Sequence, residues 1–122
     1  MQSPANQRGD LHERIFRWVI ACLKLLKIIP RDAVSLVIIH QLAKSCTSVG
    51  ANDQEAVTSS SDKDFVAKYQ IARKELAESI YWMKILQELY PATHFTNSFG
   101  EAEEILKILS RIVLNVKNKA GI

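Results

Sequence analysis

The feature that most constrains the fold of this chain is the spacing of apolar residues along its first thirty positions. Apolar side chains recur there at alternating steps of four and three residues, the repeat of a helix that packs along one side. The residues of this stripe are Leu11, Ile15, Trp18, Cys22, Leu25 and Ile29. Asp10 is suited to cap the helix, and Pro30 ends it because proline disfavours helical geometry in the residue before it.

A second apolar stripe runs beside the first on this helix. It consists of Phe16, Val19, Ile20, Leu23 and Leu26. Together the two stripes are wider than one neighbouring helix can cover, so we expect the helix to meet several helices or another subunit. The polar side that remains is narrow and basic, formed by Arg14, Arg17, Lys24 and Lys27.

Capping residues and breaks predict three further helices. The second runs from near Asp32 to Val57, where a run of threonine and serine interrupts it. The third begins after a cap at Ser61 or Asp62 and extends to Leu89 or Tyr90, where Pro91 stops it. The fourth opens at a capping box formed by Ser98 and Glu101.

Four helices joined by short connections predict an all-α fold, an antiparallel up-down four-helix bundle. A chain of 122 residues has room for one core, since two would each be too small to be stable. We therefore expect a flexible N-terminal tail at residues 1–9, one bundle domain at residues 10–119 and a short tail at residues 120–122. The wide apolar stripes predict that the bundle assembles into a homo-oligomer.

Composition and cysteine usage restrict the class of protein. Hydrophobic residues make up 48% of the chain and charged residues 24%, which favours a folded domain over disorder. Cys22 and Cys46 stand far apart on apolar stripes, so we interpret them as reduced, buried side chains. The first ten residues lack an apolar signal region, and the run from Trp18 to Ile29 is too short to span a bilayer. These features predict a cytoplasmic location and no membrane partner.

Two blocks of residues resemble a known family. The first block is Lys44-Ser45-Cys46-Thr47-Ser48-Val49-Gly50-Ala51-Asn52 with Glu55-Ala56, preceded by Asp10-Leu11-His12-Glu13-Arg14, Pro30, Val37-Ile38 and Gln41-Leu42. The second block is Ser61, Asp64-Phe65, Lys68, Ile71-Ala72, Lys74-Glu75, Glu78 and Tyr81-Trp82. From about Asp10 to Leu89, the chain resembles the four-helix bundle proteins encoded in intervening sequences of bacterial large-subunit ribosomal RNA genes.

The resemblance implies a bundle that forms homo-oligomeric rings, commonly pentamers. It also implies a relation to the accessory proteins of diversity-generating retroelements, which bind nucleic acid and a reverse transcriptase. Most plain members of the family have no established activity, so the resemblance implies a fold more firmly than a function. The chain departs from the family at three positions. Asp53 stands where the family often has an aromatic residue, Gln54 where it often has a basic residue, and Ile39 where it often has glycine.

Acidic residues on apolar stripes are the best candidates for hidden chemistry. Glu55, Glu75 and Glu78 are the carboxylates whose positions suggest burial. A ferritin-like metal site needs Glu-x-x-His on two helices, and none of the three histidines follows a glutamate at that spacing. We therefore interpret these glutamates, with Asn52, as a structural polar network that pairs with Lys44, Lys74 or Arg73 and fixes helix register.

Catalytic motifs are absent from the sequence. No nucleophile elbow is present, and the four glycines are isolated and form no phosphate-binding loop. We therefore predict no enzyme activity, no cofactor and no metal. A small metalloenzyme is the minor alternative.

Positive charge is concentrated in the first part of the chain. Residues 1–50 hold seven Lys and Arg against three Asp and Glu, whereas the remainder holds nine against ten. The candidates for contacts with nucleic acid are Arg14, Arg17, Lys24, Lys27 and Lys44, and a second basic set is Lys107, Arg111, Lys117 and Lys119. The leading hypothesis is a homo-oligomer that binds RNA or a nucleoprotein through repeated basic faces. The alternative is a protein-interaction scaffold that binds no nucleic acid.

Overall fold

A computed structural model describes the backbone of residues 4–122 and the side chains of residues 10–122. The helices are α1 (Pro4–Ile28), α2 (Ala33–Val57), α3 (Asp62–Leu89) and α4 (Thr96–Ala120). No strand occurs in this described part of the chain. The predicted all-α class and the number of helices are therefore confirmed.

The helices form a closed ring of four neighbours. Helix α1 packs against α2 and α4, α2 packs against α3, and α3 packs against α4. Because connections of a few residues join the ends of successive helices, each helix runs antiparallel to the one before it. The result is the predicted up-down four-helix bundle, whereas the homo-oligomer stays a prediction.

The boundaries of α2 and α3 follow from their capping residues, as predicted. The Asp32 carboxylate accepts hydrogen bonds from the backbone N–H groups of Val34 (2.9 Å) and Ser35 (2.8 Å). The Ser35 hydroxyl accepts one in return from the backbone N–H of Asp32 at 2.9 Å. At the start of α3, the Ser61 hydroxyl accepts a bond of 3.0 Å from the backbone N–H of Asp64. These side chains satisfy amides that the helices themselves leave unpaired.

The start of α1 differs from the prediction. The helix begins at Pro4, so Asp10 lies inside it and the predicted cap at Asp10 is wrong. Proline is compatible with the first helical position because the amide it lacks would have no helical acceptor there. The predicted N-terminal tail at residues 1–9 therefore overlaps α1 from residue 4, and its residues 1–3 lie outside the described residues.

The start of α4 also differs, because tertiary contacts fix it three residues earlier than the predicted capping box. Phe95 is buried and occupies the cap position, where its backbone N–H donates to Gln87 Oε1 at 2.9 Å. The Trp18 indole N–H donates to the Ser98 carbonyl at 2.9 Å, and the Glu101 carboxylate is held by Arg14. The predicted box between Ser98 and Glu101 is therefore wrong.

The core lies between all four helices and is apolar. Its largest fully buried apolar side chains are Ile15, Leu42, Leu76, Met83, Leu86, Phe95, Ile105 and Leu109. Cys22 and Cys46 are free and buried, as predicted. A hydrogen bond with the Cys46 thiol and burial raise the pKa of Cys22, which makes that thiol unreactive. In the described chain, no helix is both long and apolar enough to cross a membrane.

Candidate nucleic-acid interface

Three of the predicted contact residues lie together on the outer side of α1. Arg17, Lys24 and Lys27 are exposed, and steps of seven and three residues place them along one side of the helix. Lys24 and Lys27 form no ion pair or hydrogen bond within the described residues, so their ammonium groups face solvent. Arg17 donates from Nε to Glu13 Oε1 at 2.8 Å in an exposed pair, which is worth little and is readily exchanged. We call these three residues the α1 basic face.

Arg14 does not belong to this face, because it connects α1 to α4. Its Nε and Nη2 atoms each donate to one Glu101 carboxylate oxygen at 2.7 Å, a bidentate pair. The hydrogen bond with Glu101 raises the pKa of Arg14 above its usual range. Arg14 therefore has a structural role at the α1–α4 seam in addition to any contact with an anion.

Lys44 is separate from the α1 basic face as well. It lies exposed on α2, on the side that adjoins α3, where its charge weakly opposes the rise in the pKa of Glu75. Of the five predicted contact residues, the structure therefore brings together three, assigns Arg14 to an ion pair between helices and leaves Lys44 on another surface.

The second basic set lies along the C-terminal half of α4 and is mixed in character. Lys107 is within 3.6 Å of Glu104 in an exposed pair, and Lys117 is half-buried. Arg111 and Lys119 are exposed and form no ion pair within the described residues. The two exposed unpaired cations of this set, Arg111 and Lys119, are eight positions apart, whereas Lys24 and Lys27 are three apart, so α1 places its unpaired charges closer together.

The predicted polar network of Asn52, Glu55, Glu75 and Glu78 is not a single cluster. Asn52 is buried, but its amide donates to the Ser48 carbonyl at 2.9 Å and to the Ser48 hydroxyl at 3.2 Å. Glu55 is exposed and pairs with Lys68 at 3.3 Å. The expectation of burial is therefore wrong for Glu55, and the expected bond from Asn52 to a glutamate is replaced by a bond within its own helix.

Glu75 and Glu78 lie next to each other on α3. Glu75 is half-buried, and Glu78 is exposed rather than buried as predicted. Partial burial and the nearby Glu78 charge raise the pKa of Glu75, while Lys74 and Lys44 act in the opposite direction. The pair therefore forms an acidic spot on the side of α3 that adjoins α2.

The polar cluster that is buried in the structure was not predicted. Asp53 is almost completely buried, with 1% of its surface exposed. Its carboxylate can only accept, so the His12 Nδ1–H donates to its two oxygens at 2.9 and 2.8 Å. The Tyr69 hydroxyl donates to Asp53 Oδ1 at 2.8 Å. This cluster ties α1, α2 and α3 together at one end of the bundle.

The sequence did carry a signal for this cluster. Asp53 stands in the series Cys46, Val49, Asp53 and Ala56, whose steps of three and four residues define the core side of α2. A carboxylate in such a series must find donors on neighbouring helices, because an unpaired buried charge is strongly unfavourable. Its position departs from the family pattern, but its partners depend on packing between helices.

An apolar surface remains exposed where α2 and α3 meet. The Tyr90 hydroxyl donates to Asp32 at 3.0 Å and the Ser45 and Ser79 hydroxyls are 2.7 Å apart, which fixes the antiparallel register of the two helices. In that register, the exposed side chains of Val34 and Val37 lie beside the end of α3. The apolar residues of this surface, which we call the α2–α3 face, are Val34, Val37, Trp82, Ile85 and Leu89.

One atom of the α2–α3 face is unusual. The Trp82 indole nitrogen is buried, and it has no hydrogen-bond partner within the described residues. A buried N–H group without a hydrogen-bond acceptor is unfavourable in the interior of a folded protein. Close to half of Leu89 (49%) and more than half of Val34 (60%) and Val37 (59%) are exposed. The face therefore leaves apolar surface uncovered in the single chain.

The described side chains form no recognisable metal centre. Among them, no group of three or more histidine, cysteine, aspartate or glutamate residues is close enough to hold a metal ion. The His12–Asp53 pair is the only contact between a histidine and a carboxylate in this part of the chain. It has the geometry of an ion pair, and it contributes to the packing of three helices.

Comparison with known proteins agrees with this architecture. A family model described as 23S rRNA-intervening sequence protein matches residues 10–111. Among solved structures, the chain is similar to a protein of unknown function from the S23 ribosomal protein family of Bacteroides thetaiotaomicron VPI-5482. That match has a TM-score of 0.77 and 28% sequence identity, and it covers 84% of this chain and 97% of the other. No curated protein matches the chain significantly. Because the family model spans most of the bundle, this chain belongs to the 23S rRNA-intervening sequence protein family.

Proposed function

We propose that this protein is a non-enzymatic homo-oligomer that binds nucleic acid, with RNA as the first candidate, through the α1 basic face. The observation that carries the proposal is the pair of exposed lysines, Lys24 and Lys27, which have no acidic partner within the described residues. Unpaired ammonium groups can neutralise phosphates without first breaking an ion pair, and neutralised phosphates release counterions. Arg17 adds a guanidinium group whose exposed pair with Glu13 is readily exchanged.

Self-association through the α2–α3 face is the second part of the proposal. The face exposes apolar side chains in a contiguous strip, as surfaces that bind another protein do. A homo-oligomer would repeat the α1 basic face once in each subunit, and the family resemblance implies a pentamer. Repetition increases the effective concentration of each face after the first contact, so two unpaired lysines per subunit suffice for useful affinity.

The recognition that these surfaces support is electrostatic and depends little on sequence. Lysine contacts phosphate as a point charge and carries no information about bases. Trp18 is buried and donates its N–H to a carbonyl, so it is not free to stack on a base. The exposed aromatic side chain beside the α1 basic face is Phe16, whose ring lies 5.4 Å from the Arg17 guanidinium carbon and can stack on any base without reading its sequence. We therefore expect binding that falls steeply with salt and varies little among RNA sequences.

A charge-reversal experiment tests the proposal. Lys24→Glu with Lys27→Glu should abolish retention of the protein on RNA at low salt. The matched control is Lys63→Glu with Lys84→Glu, two exposed lysines of α3, which changes the net charge by the same amount. Arg14 is left intact because its pair with Glu101 joins two helices. Retention is measured as a function of salt, and light scattering checks that each variant keeps its mass.

The result that contradicts RNA binding is equally specific. If the two double variants lose retention on RNA equally, net charge alone controls retention and α1 has no special role. Retention that is absent, or independent of salt, in the unaltered protein would favour a scaffold that binds a protein through its apolar surface. The exposed apolar strip of the α2–α3 face is the observation that supports this second candidate.

A further inference from the structure

An open groove runs between the middle of α1 and the C-terminal half of α2. It measures about 430 Å³, within the range of about 300–1,000 Å³ that is usual for pockets that bind small ligands. Its apolar lining includes the buried side chains of Ile15 and Val19 on α1, and it faces Gly50 and Ala51 on α2. The groove therefore has room for a flat ring system against an apolar surface.

Phe16 lines this groove and gives it a surface for stacking. Half of Phe16 (50%) is exposed, although an aromatic ring gains most when both of its faces are covered. Every nucleobase has a flat face that can stack on such a ring. The Arg17 guanidinium carbon lies 5.4 Å from the centre of the Phe16 ring, so the ring adjoins the α1 basic face. Phe16 therefore connects the groove to the surface that we propose for phosphates.

Two polar side chains in the lining are free to bond the edge of a base. The His12 ring is held in place by the 2.8 Å bond from its Nδ1–H to Asp53, and its Nε2 atom forms no hydrogen bond within the described residues. The Gln54 side chain is exposed and likewise has no hydrogen bond in this part of the chain. A carboxamide both donates and accepts, as the edges of unpaired bases require.

The charges around the groove favour an uncharged ring inside it and phosphates outside it. The charged pair in the lining is His12 with Asp53, whose carboxylate also accepts from the Tyr69 hydroxyl. The unpaired cations Lys24 and Lys27 lie outside the groove, eight and eleven residues beyond Phe16, or about 12 and 16 Å along α1. A short strand with one base in the groove therefore reaches both lysines with its phosphates.

We propose that the α1–α2 groove holds one unpaired base of a nucleic acid, stacked on Phe16 and hydrogen-bonded at its edge by Gln54 and by Nε2 of His12. The base belongs to a nucleic acid only if the proposed function is correct, and the site adds to that function a requirement for an accessible base. Stacking tolerates every base, so the site selects unpaired strands without selecting a sequence.

The test compares two strands of equal charge on the whole protein. One is a short single-stranded RNA, and the other has the same sugar–phosphate backbone without its bases. The RNA should bind about tenfold more tightly than the abasic strand, because only the RNA supplies a base for stacking. The amide NMR signals of Gly50 and Ala51, which line the groove, should shift with the RNA and stay in place with the abasic strand.

Side-chain variants test the same site. Phe16→Ala should weaken binding of the RNA by about tenfold, whereas Phe16→Tyr, which keeps a flat ring, should bind as the unaltered protein does. The matched control is Leu36→Ala, because Leu36 is 52% exposed and lies outside the groove. Gln54→Ala should weaken binding by about threefold to tenfold through the loss of a hydrogen bond. Circular dichroism and light scattering check the helix content and the mass of each variant.

Each contrary outcome is distinct. Equal binding of the RNA and the abasic strand, or equal effects of Phe16→Ala and Leu36→Ala, would overturn the base site. If retention on RNA still required Lys24 and Lys27, the proposed function would stand without that site. A mass that falls in Phe16→Ala alone would assign the groove to contact between copies of the chain and would also overturn the site. Base-dependent binding that survives charge reversal of Lys24 and Lys27 would support the groove and contradict the role of the α1 basic face.

Discussion

Asp53 shows how one buried residue fixes the relation of three helices. Its carboxylate accepts hydrogen bonds from His12 on α1 and Tyr69 on α3, and only 1% of the residue is exposed. Removing a carboxylate from water is unfavourable by several kcal/mol unless charge and hydrogen bonds compensate it. His12 remains partly exposed, so water reaches the cluster from the side of the imidazole. The ion pair therefore contributes less to the stability of the fold than a fully enclosed pair would.

Replacement of Asp53 should therefore destabilise the fold. Asp53→Ala removes the carboxylate that accepts from the His12 imidazole and from the buried Tyr69 hydroxyl, and we expect a loss of about 2–3 kcal/mol in the free energy of unfolding. Urea denaturation followed by circular dichroism measures the change. Glu88→Ala, at an exposed position of α3, is the control and should leave stability within about 0.5 kcal/mol of the unaltered value. A change at Asp53 no larger than the control would show that the carboxylate is dispensable.

The residues of this cluster could be predicted only in part. The step pattern of α2 assigns Asp53 to the core side, but forty-one positions separate it from His12, and nothing local to either residue links them. The converse holds for Glu55 and Glu78, whose stripes looked buried and whose side chains reach solvent. A long side chain at the edge of a stripe can extend outwards, so burial of the backbone position does not decide burial of its charge.

Asp32 gives a pH-dependent contribution with a defined sign. Its hydrogen bonds with the Ser35 backbone N–H and the Tyr90 hydroxyl lower its pKa. A carboxyl whose pKa is lower in the folded state stabilises the fold above its unfolded pKa, near 3.9, and loses this contribution as pH falls through the folded value. Asp32→Asn keeps a capping side chain without a titrating group. Between about pH 5 and pH 2, the melting temperature of this variant should fall less than that of the unaltered protein. Melting temperatures that fall in parallel in the two proteins would show that Asp32 makes no pH-dependent contribution to stability.

At the scale of helices, boundaries set by local chemistry were predictable and boundaries set by tertiary contacts were not. Asp32 and Ser61 cap α2 and α3 through hydrogen bonds to amides two or three residues further along the chain, so the sequence alone locates the start of both helices. The start of α4 depends on the burial of Phe95 and on a bond from its backbone to Gln87 of α3. These contacts outweigh the capping box that Ser98 and Glu101 would form, because Glu101 pairs with Arg14 instead.

Two helical glycines should respond differently to replacement by alanine. Alanine favours a helix interior over glycine by about 1 kcal/mol. At Gly100 an added Cβ meets no atom within 4 Å, so Gly100→Ala should raise the free energy of unfolding by about 0.5–1 kcal/mol. At Gly50 the added Cβ would lie 3.3 Å from Val19 Cγ2, a β-branched and nearly buried side chain that cannot turn away easily.

Gly50→Ala should therefore give no gain or a loss, because crowding against α1 offsets the helix propensity. The decisive comparison is made in a protein that also carries Val19→Ala, where the obstructing methyl is gone. In that background Gly50→Ala should stabilise the fold, and urea denaturation of the four combinations gives the coupling between the two positions. Additive effects would show that α1 and α2 do not approach as closely as the structure indicates.

At the scale of the whole molecule, the number of helices and their up-down order follow from the sequence, whereas the use of the outer surfaces does not. Periodicity distinguishes the inner side of a helix from its outer side, and four inner sides define one bundle. It does not show which outer side meets solvent and which meets another chain. The α2–α3 face is such a case: Val34 and Val37 fit a helical pattern equally well inside or outside the bundle, and the structure leaves both exposed.

Assembly through the α2–α3 face predicts a difference between two matched apolar positions. Val37 on α2 is 59% exposed and Leu114 on α4 is 58% exposed, so each offers a similar fraction of its surface to water. A glutamate at Val37 would lie among the apolar side chains of the α2–α3 face and would be buried against a second copy. A glutamate at Leu114 would stay in solvent beside the basic residues of α4.

Val37→Glu should therefore lower the mass of the assembly measured by light scattering, while Leu114→Glu leaves it unchanged. One unpaired charge enclosed in each interface is unfavourable by several kcal/mol, enough to raise the dissociation constant by more than a hundredfold. Circular dichroism should show the same helix content in both variants, because neither side chain belongs to the core of the single bundle. A monomeric unaltered protein, or an equal loss of mass in both variants, would contradict assembly through this face and, with it, the repetition of α1 basic faces on which strong binding depends.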